Sequence, residues 1–146
     1  GQAAMKSRRL AEKQAAADAF RAQFTADETR ATRTPSGLRF VLLAPGSGEP
    51  PRPGDTISTH CTGYLAQDGT RFWSTYDQGT PFRVAIGLGK VIKGWDEAFL
   101  EMRPGEKRRL IIPPELGYGA QGNPRVGIPG NAVLVFDVEL LAVERR

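Results

Sequence analysis

The stretch AVLVFDVELLAV, residues 132–143, alternates with a period of two. Successive side chains of a strand point to opposite faces, so Leu134, Phe136, Val138 and Leu140 share one face. Val133, Val135, Asp137, Glu139 and Leu141 share the other. One face is wholly apolar and the other mixed, as in a sheet packed on one side and partly wet on the other. Working back along the chain, KGWDEAFLEM (93–102) changes to helical spacing, with Trp95, Phe99 and Met102 on one stripe. Around this short helix, LRFVLL (38–43), TISTHCTGYLA (56–66), TRFWS (70–74), PFRVAI (81–86) and KRRLIIP (107–113) read as strands. Gly- and Pro-rich turns separate them, the longest being PPELGYGAQGNPRVGIPGN (113–131). Several strands and one amphipathic helix predict an α+β fold, an antiparallel sheet curling round that helix.

The front of the chain differs in character. Residues 3 to about 31 are Ala-rich and charged, without proline or internal glycine, and predict a helix. Leu10, Ala17 and Phe24 recur at heptad-like spacing, with Phe20 one turn before Phe24, a stripe too thin for an independent core. Thr25-Ala26-Asp27-Glu28 has the form of a capping box and predicts a break near that point, and Pro35-Ser36-Gly37 predicts the helix stop. The division expected is a helical extension over 1–34 and a domain over 35–146. The extension reads either as an exposed helix lying on the domain or as a docking or dimerising arm.

Composition narrows the function. The chain has 146 residues, 40% hydrophobic and 25% charged, ordinary for a globular domain. Its net charge of +4 is scattered over Arg8-Arg9, Lys107-Arg108-Arg109 and Arg145-Arg146, without interleaved aromatics, which argues against nucleic-acid binding. No apolar run spans a bilayer. Cys61 is the single cysteine and His60 the single histidine, too few for a metal cluster. As strand neighbours they face opposite ways and cannot share a proton. GLGK (87–90) lacks the spacing of a phosphate loop. Asp96, Glu97 and Glu101 read as the solvated side of the short helix. No metal or cofactor is expected.

Aromatic and branched residues near loops remain: Phe72, Phe82, Val91, Ile92, Trp95, Tyr118, Ile128 and Phe136. Tyr118 lies in GYGAQG and Ile128 in GIPG, and large apolar residues in rim loops suit a concave site. In QDGTRFWSTY (67–76), Asp68-Gly69 predicts a tight turn. Strand alternation after it sends Phe72 and Trp73 to opposite faces.

Together VIKGWDEAF, PPELGYGAQG, IPGNAVLVFDVELL and GDTISTHCTGYLAQDG resemble the FKBP family of peptidyl-prolyl cis–trans isomerases, from about Gly37 to Val143. The resemblance implies a half-barrel wrapped over the Trp95 helix, with a proline pocket between sheet and helix. Trp95 would be its floor, with Phe72, Phe82, Val91, Ile92 and Phe136 as walls and Ile128 and the Tyr118 loop as rim. The Ile92 N–H and the Tyr118 hydroxyl would each bond a ligand carbonyl. Phe72, Ile92, Trp95, Tyr118 and Phe136 carry the catalytic expectation.

Three substrate-contact positions depart from the family pattern: Cys61 stands for a tyrosine, Val84 for a common aromatic, and Trp73 for an aspartate. That aspartate supports macrolide binding in the family, so the resemblance implies weakened affinity for tacrolimus and rapamycin. Trp73 would project at the pocket mouth, either covering apolar surface or reshaping the rim. The expected partners are proline-containing peptides and unfolded proteins, with a homodimer through the N-terminal helix as an option. TPSGLRF after a charged helix is similar to exported bacterial members, implying an exported, periplasmic location, with the cytoplasm as alternative. Two functions stay open: a prolyl isomerase of reduced activity with chaperone character, and a proline-binding module that scarcely turns its ligand over.

Overall fold

The computed structural model describes residues 1–146. Labels below run in chain order. The alternating segment forms β7 (Leu134–Glu144), the central strand of an open seven-stranded sheet. β7 pairs with β3 (Thr56–Leu65) on one side and β6 (Lys107–Ile112) on the other. Beyond β6 lie β2 (Arg39–Ala44) and the short β1 (Thr32–Arg33), while β4 (Arg71–Ser74) and β5 (Phe82–Ala85) both pair with β3. Every pairing is antiparallel.

The two faces of β7 are both used. Leu134, Phe136, Val138 and Leu140 join Trp95, Phe99 and Met102 in one buried core against helix α3 (Lys93–Phe99). This is the α+β half-barrel around one short helix. The mixed face is drier than its pattern suggests, because helix α1 (Gln2–Arg30) covers it: Phe24 packs with Ala66, Ile111 and Val135.

Helix α1 docks by its last third only. Residues 2–16 are exposed, which at about 1.5 Å per residue is roughly 22 Å of helix. Phe20 lies 5.5 Å from the Tyr64 ring and covers the Asp68-Gly69 turn. At Gly69 (φ +79°) a Cβ would come within 2.5 Å of Phe20 Cγ. The expected break at Thr25 does not occur. Thr25 stays inside the helix, its carbonyl accepting from the Thr29 hydroxyl, and Glu28 accepts from Arg39 at 2.8 Å instead of capping. The helix ends at Arg30, before Pro35-Ser36-Gly37, because Thr32 and Arg33 are taken up by pairing with Phe40 and Arg39. Pro35-Ser36-Gly37 is the turn of that hairpin, with Gly37 at φ +99°.

A further short helix, α2 (Thr75–Gln78), follows β4 and went unread in the sequence. Its signal was present: Ser74 caps it through Tyr76 N–H, and Gly79 closes it in the left-handed conformation at φ 77°.

Candidate active site

A cavity of about 310 Å³ opens between α3, β4, β5, β7 and the 113–131 loop. Trp95 is 3% exposed and forms its floor, wedged by aromatic rings on every side. Its ring centroid lies 5.1 Å from Phe99, 5.4 Å from Phe136, and 5.9 Å from Phe82 and Trp73. Most of these pairs are near edge-to-face, the arrangement the ring quadrupoles favour. The indole N–H has no hydrogen-bond partner, so packing alone holds the ring.

Phe72 and Trp73 both line this cavity, against the expectation of opposite faces. The reason is a β-bulge. Gly63 pairs with Trp73 and Tyr64 with Arg71, which leaves Phe72 as the extra residue opposite no partner. The bulge turns Phe72 inward beside its neighbour. Phe72 then meets Phe136 edge-on at 5.5 Å, and Trp73 meets Phe82 edge-on at 5.4 Å. Trp73 is therefore part of the wall, packed on Trp95, and does not project at the mouth.

Gly63 makes room for this arrangement. A Cβ there would lie 2.5 Å from Phe72 Cζ and 2.8 Å from Phe136 Cε1. Gly63→Ala is expected to destabilise the fold by about 1–3 kcal/mol, the usual cost of overpacking. It should also lower isomerisation by pushing two pocket walls apart. Urea unfolding and peptide exchange rates check both, and an unchanged rate in the folded variant would contradict the assignment of these rings to the site.

The segment joining β5 to α3 supplies Lys90, Val91 and Ile92 to the lining. Asp96 braces it, accepting from Gly87 N–H at 2.7 Å and Gly89 N–H at 2.9 Å. Glu97 accepts from the Thr34 hydroxyl at 2.7 Å and from Ser36, tying the β1–β2 turn to α3. Neither carboxylate is part of a merely solvated face, because each satisfies donors from a neighbouring turn; Glu101 alone is exposed. Ile92 is the N-cap of α3, its carbonyl accepting from Trp95 and Asp96 N–H, while its own N–H donates to no backbone group. Tyr118 is 37% exposed at the rim.

Three of the named positions do not line the cavity. Cys61 is 1% exposed in the core, where burial pushes its thiol up to about 12, so no thiolate nucleophile forms at neutral pH. Its N–H and His60 Nδ1 meet the Thr75 hydroxyl at 3.0 and 2.9 Å, while the His60 ring stacks on Tyr76. Val84 shares a strand face with Phe82 but lies two residues further on, opposite Ile57, and packs into the core. Ile128 is 2% exposed: its backbone bridges to Asn123 and its side chain joins the core. Lys90, Asn123 and Val126 line the cavity and went unnamed in the sequence. Position in the same loops as Val91 and Ile128 was their only signal.

A half-barrel with an aromatic cavity at the start of its central helix defines a binding domain for a small apolar group held by a polar backbone. Residues 47–141 match the FKBP-type peptidyl-prolyl cis-trans isomerase family, and the chain belongs to it. It is 56% identical over 95 residues to the peptidyl-prolyl cis-trans isomerase FKBP2 of Homo sapiens, covering 65% of this chain and 66% of that protein's length. It is 50% identical over 108 residues to FK506-binding protein 1A of Emericella nidulans, covering 73% of this chain and 98% of the relative. The crystal structure of AtFKBP13 superposes with a TM-score of 0.73 at 40% identity, covering 77% of this chain and 98% of the other.

Proposed function

We propose that the domain over residues 35–146 accelerates cis–trans isomerisation of X–Pro bonds in polypeptide substrates. The observation that carries this is the cavity floored by Trp95 and walled by Phe72, Trp73, Phe82 and Phe136, with a free Ile92 N–H beside it. Rotation about X–Pro must break amide resonance, a barrier of about 18–20 kcal/mol. A planar amide is more dipolar than a twisted one, so water stabilises the ground state more. An apolar cavity removes that solvation where the twisted state scarcely needs it. Trp95 holds the proline ring, and the Ile92 N–H takes a flanking carbonyl, so binding energy selects the twisted geometry. No nucleophile is required.

Exchange spectroscopy on a Leu-Pro peptide tests the reading. Acceleration at substoichiometric protein, lost in Tyr118→Phe/Phe136→Ala, supports it. Peptide shifts without acceleration would instead leave a proline-binding module. Trp73 favours keeping that second reading, because its indole occupies a wall where the family pattern has a carboxylate. For the same reason the macrolides tacrolimus and rapamycin should bind weakly, in a cavity of about 310 Å³ at the small end for drug-sized ligands. Trp73→Asp restores an anionic acceptor, and hydrogen bonds to charged groups are strong. It should raise macrolide affinity about tenfold by calorimetry; equal or lower affinity would contradict the role given to this position.

Within the same reading, residues 2–16 of α1, all exposed, support pairing of two chains through their arms. Paired pockets would add avidity for an unfolded client. Sedimentation equilibrium checks this, a monomer mass counting against it.

A further inference from the structure

The segment that brings the Ile92 N–H to the cavity has no hydrogen-bonded structure of its own. Residues 87–91 join β5 to α3, and none of them makes a backbone–backbone hydrogen bond. Gly87 and Gly89 both take the left-handed conformation, at φ 81° and 74°, so the chain turns twice there with no ladder to fix it. Leu88 is exposed, while the side chains of Val91 and Ile92 pack against the core. That packing sets how deep the segment lies, but it leaves the tilt of each peptide plane open. The tilt is fixed from α3. Gly87 N–H donates to Asp96 Oδ1 at 2.7 Å and Gly89 N–H to Asp96 Oδ2 at 2.9 Å, the only hydrogen bonds that residues 87–91 make. The Asp96 N–H reaches the other end and donates to the Ile92 carbonyl at 3.2 Å. One residue thus closes both ends of the segment, and it does so without lining the cavity itself.

We propose that Asp96 is a positioning residue for isomerisation: its carboxylate holds the 87–92 segment so that the Ile92 N–H is aimed at the substrate carbonyl, an inference resting on the isomerase reading. A hydrogen bond weakens steeply once its angle falls below about 120°, so a segment free to rock its peptide planes makes this bond poorly. Peptide affinity rests mainly on the apolar floor and walls, which Asp96 does not line. In Asp96→Ala the loss should therefore fall on the maximal rate, about fivefold to tenfold, the weight of one net hydrogen bond. Peptide affinity should move less than about twofold, the split expected when an interaction is made chiefly in the transition state. Asp96→Asn keeps the shape and one acceptor oxygen, so it satisfies one of the two glycine amides and should fall between.

The test compares wild type, Asp96→Ala, Asp96→Asn and Glu97→Ala by exchange spectroscopy on a Leu-Pro peptide over a range of peptide concentrations. Each protein is held at a temperature where the near-UV signal shows it folded. Glu97 lies one residue on in α3 but accepts from the Thr34 and Ser36 hydroxyls, so its loss loosens the helix without removing a bond of the segment. The expected order of maximal rates is wild type and Glu97→Ala together, Asp96→Asn below them and Asp96→Ala lowest. On adding peptide, the amide resonance of Ile92 should shift downfield in wild type and by much less in Asp96→Ala. A folded Asp96→Ala protein at the wild-type rate overturns the proposal. So does an equal fall in Glu97→Ala, which would point to a general loosening of α3. Hydrogen exchange on wild type needs no variant to fold: a Gly87 amide that exchanges at its intrinsic rate also overturns it. If wild type accelerates no peptide, the isomerase reading falls, and the Ile92 shift alone decides the positioning. A shift lost in Asp96→Ala then sustains it; one retained there, or absent from wild type, overturns it.

Discussion

Trp95→Ala is expected to cost about 3–5 kcal/mol of stability, the range for removing a large aromatic from a core. Trp95 is 3% exposed and touches the rings of Trp73, Phe82, Phe99 and Phe136, so its removal strips one face from each of four neighbours. Its N–H bonds nothing, so no orphaned polar partner adds to the loss. Against a typical total of 5–15 kcal/mol for a domain, the variant should be folded at low temperature but close to its limit. Activity should fall further than stability does. The floor sets where the proline ring rests, and the twisted amide is favoured only while the ring is held. At 10 °C, with the folded fraction measured by near-UV signal, exchange should drop at least a hundredfold, about 2.6 kcal/mol of transition-state binding. Trp95→Phe keeps a ring in place and should retain most of the stability, separating the two effects. A folded Trp95→Ala protein that still accelerates exchange at the wild-type rate would remove Trp95 from the mechanism.

The parts of this fold that were legible in the sequence are those where periodicity and packing agree. β7 and the strands around it fall within a residue or two of their expected limits. α3 starts at Lys93 as expected but ends at Phe99, three residues before the expected 102. A period of two or of about 3.6 is imposed directly by which side is buried, and it marks an element better than its end. The site was legible where the aromatics are large enough to have one plausible destination, as with Trp95 and Phe136. It was illegible where a local irregularity overrides the period. The bulge at Phe72 is set by pairing with Gly63 and Tyr64 on another strand, which alternation along β4 cannot report. Gly63 looked like any strand glycine, yet it is the space into which Phe72 turns. Cys61 and Ile128 were misplaced for a different reason: small and branched residues fit core and rim equally well, and only the tertiary contacts decide. The capping box at Thr25 failed because Glu28 found a stronger partner in Arg39 across the docking surface.

That docking surface also bears on the site. Asp137 and Phe136 are adjacent on β7 and face opposite ways, Phe136 into the cavity and Asp137 onto Arg109 of β6. Arg109 in turn donates to Asp27 of α1 at 3.0 Å. The helix is thus clamped to the outer side of the strand whose inner side forms a pocket wall. No residue of the helix lines the cavity itself.

Asp27 is the centre of the clamp, and its loss should release the helix. Its side chain is 2% exposed and accepts from Gln23 at 3.0 Å, from Arg30 at 2.9 Å and from Arg109 at 3.0 Å. Burial pushes its carboxyl up, but the hydrogen bonds from Arg30, Arg109 and Gln23 outweigh that and hold it below its ordinary value. Removing one partner of a buried ion pair costs about 3–5 kcal/mol. Asp27→Ala belongs at the low end, about 3 kcal/mol, because Arg109 keeps Asp137. A carboxylate with a depressed folded pKa contributes stability that is fully present above its unfolded pKa, about 3.9, and is lost as pH falls through the folded value. The helix is therefore held at neutral pH and should come off progressively below about pH 4. Asp55 and Asp68 are depressed as well, so global unfolding mixes their contributions with that of Asp27. Hydrogen exchange resolves them. Amides of residues 20–30 should lose protection as the pH falls below about 4, after correction for intrinsic rates, before the β7 amides do. Asp27→Asn, which keeps the shape but not the charge, should show weakened protection already at pH 7 and little further change on acidification. Protection of residues 20–30 that is unchanged in Asp27→Ala would mean that Phe20 and Phe24 hold the helix without the ion pairs.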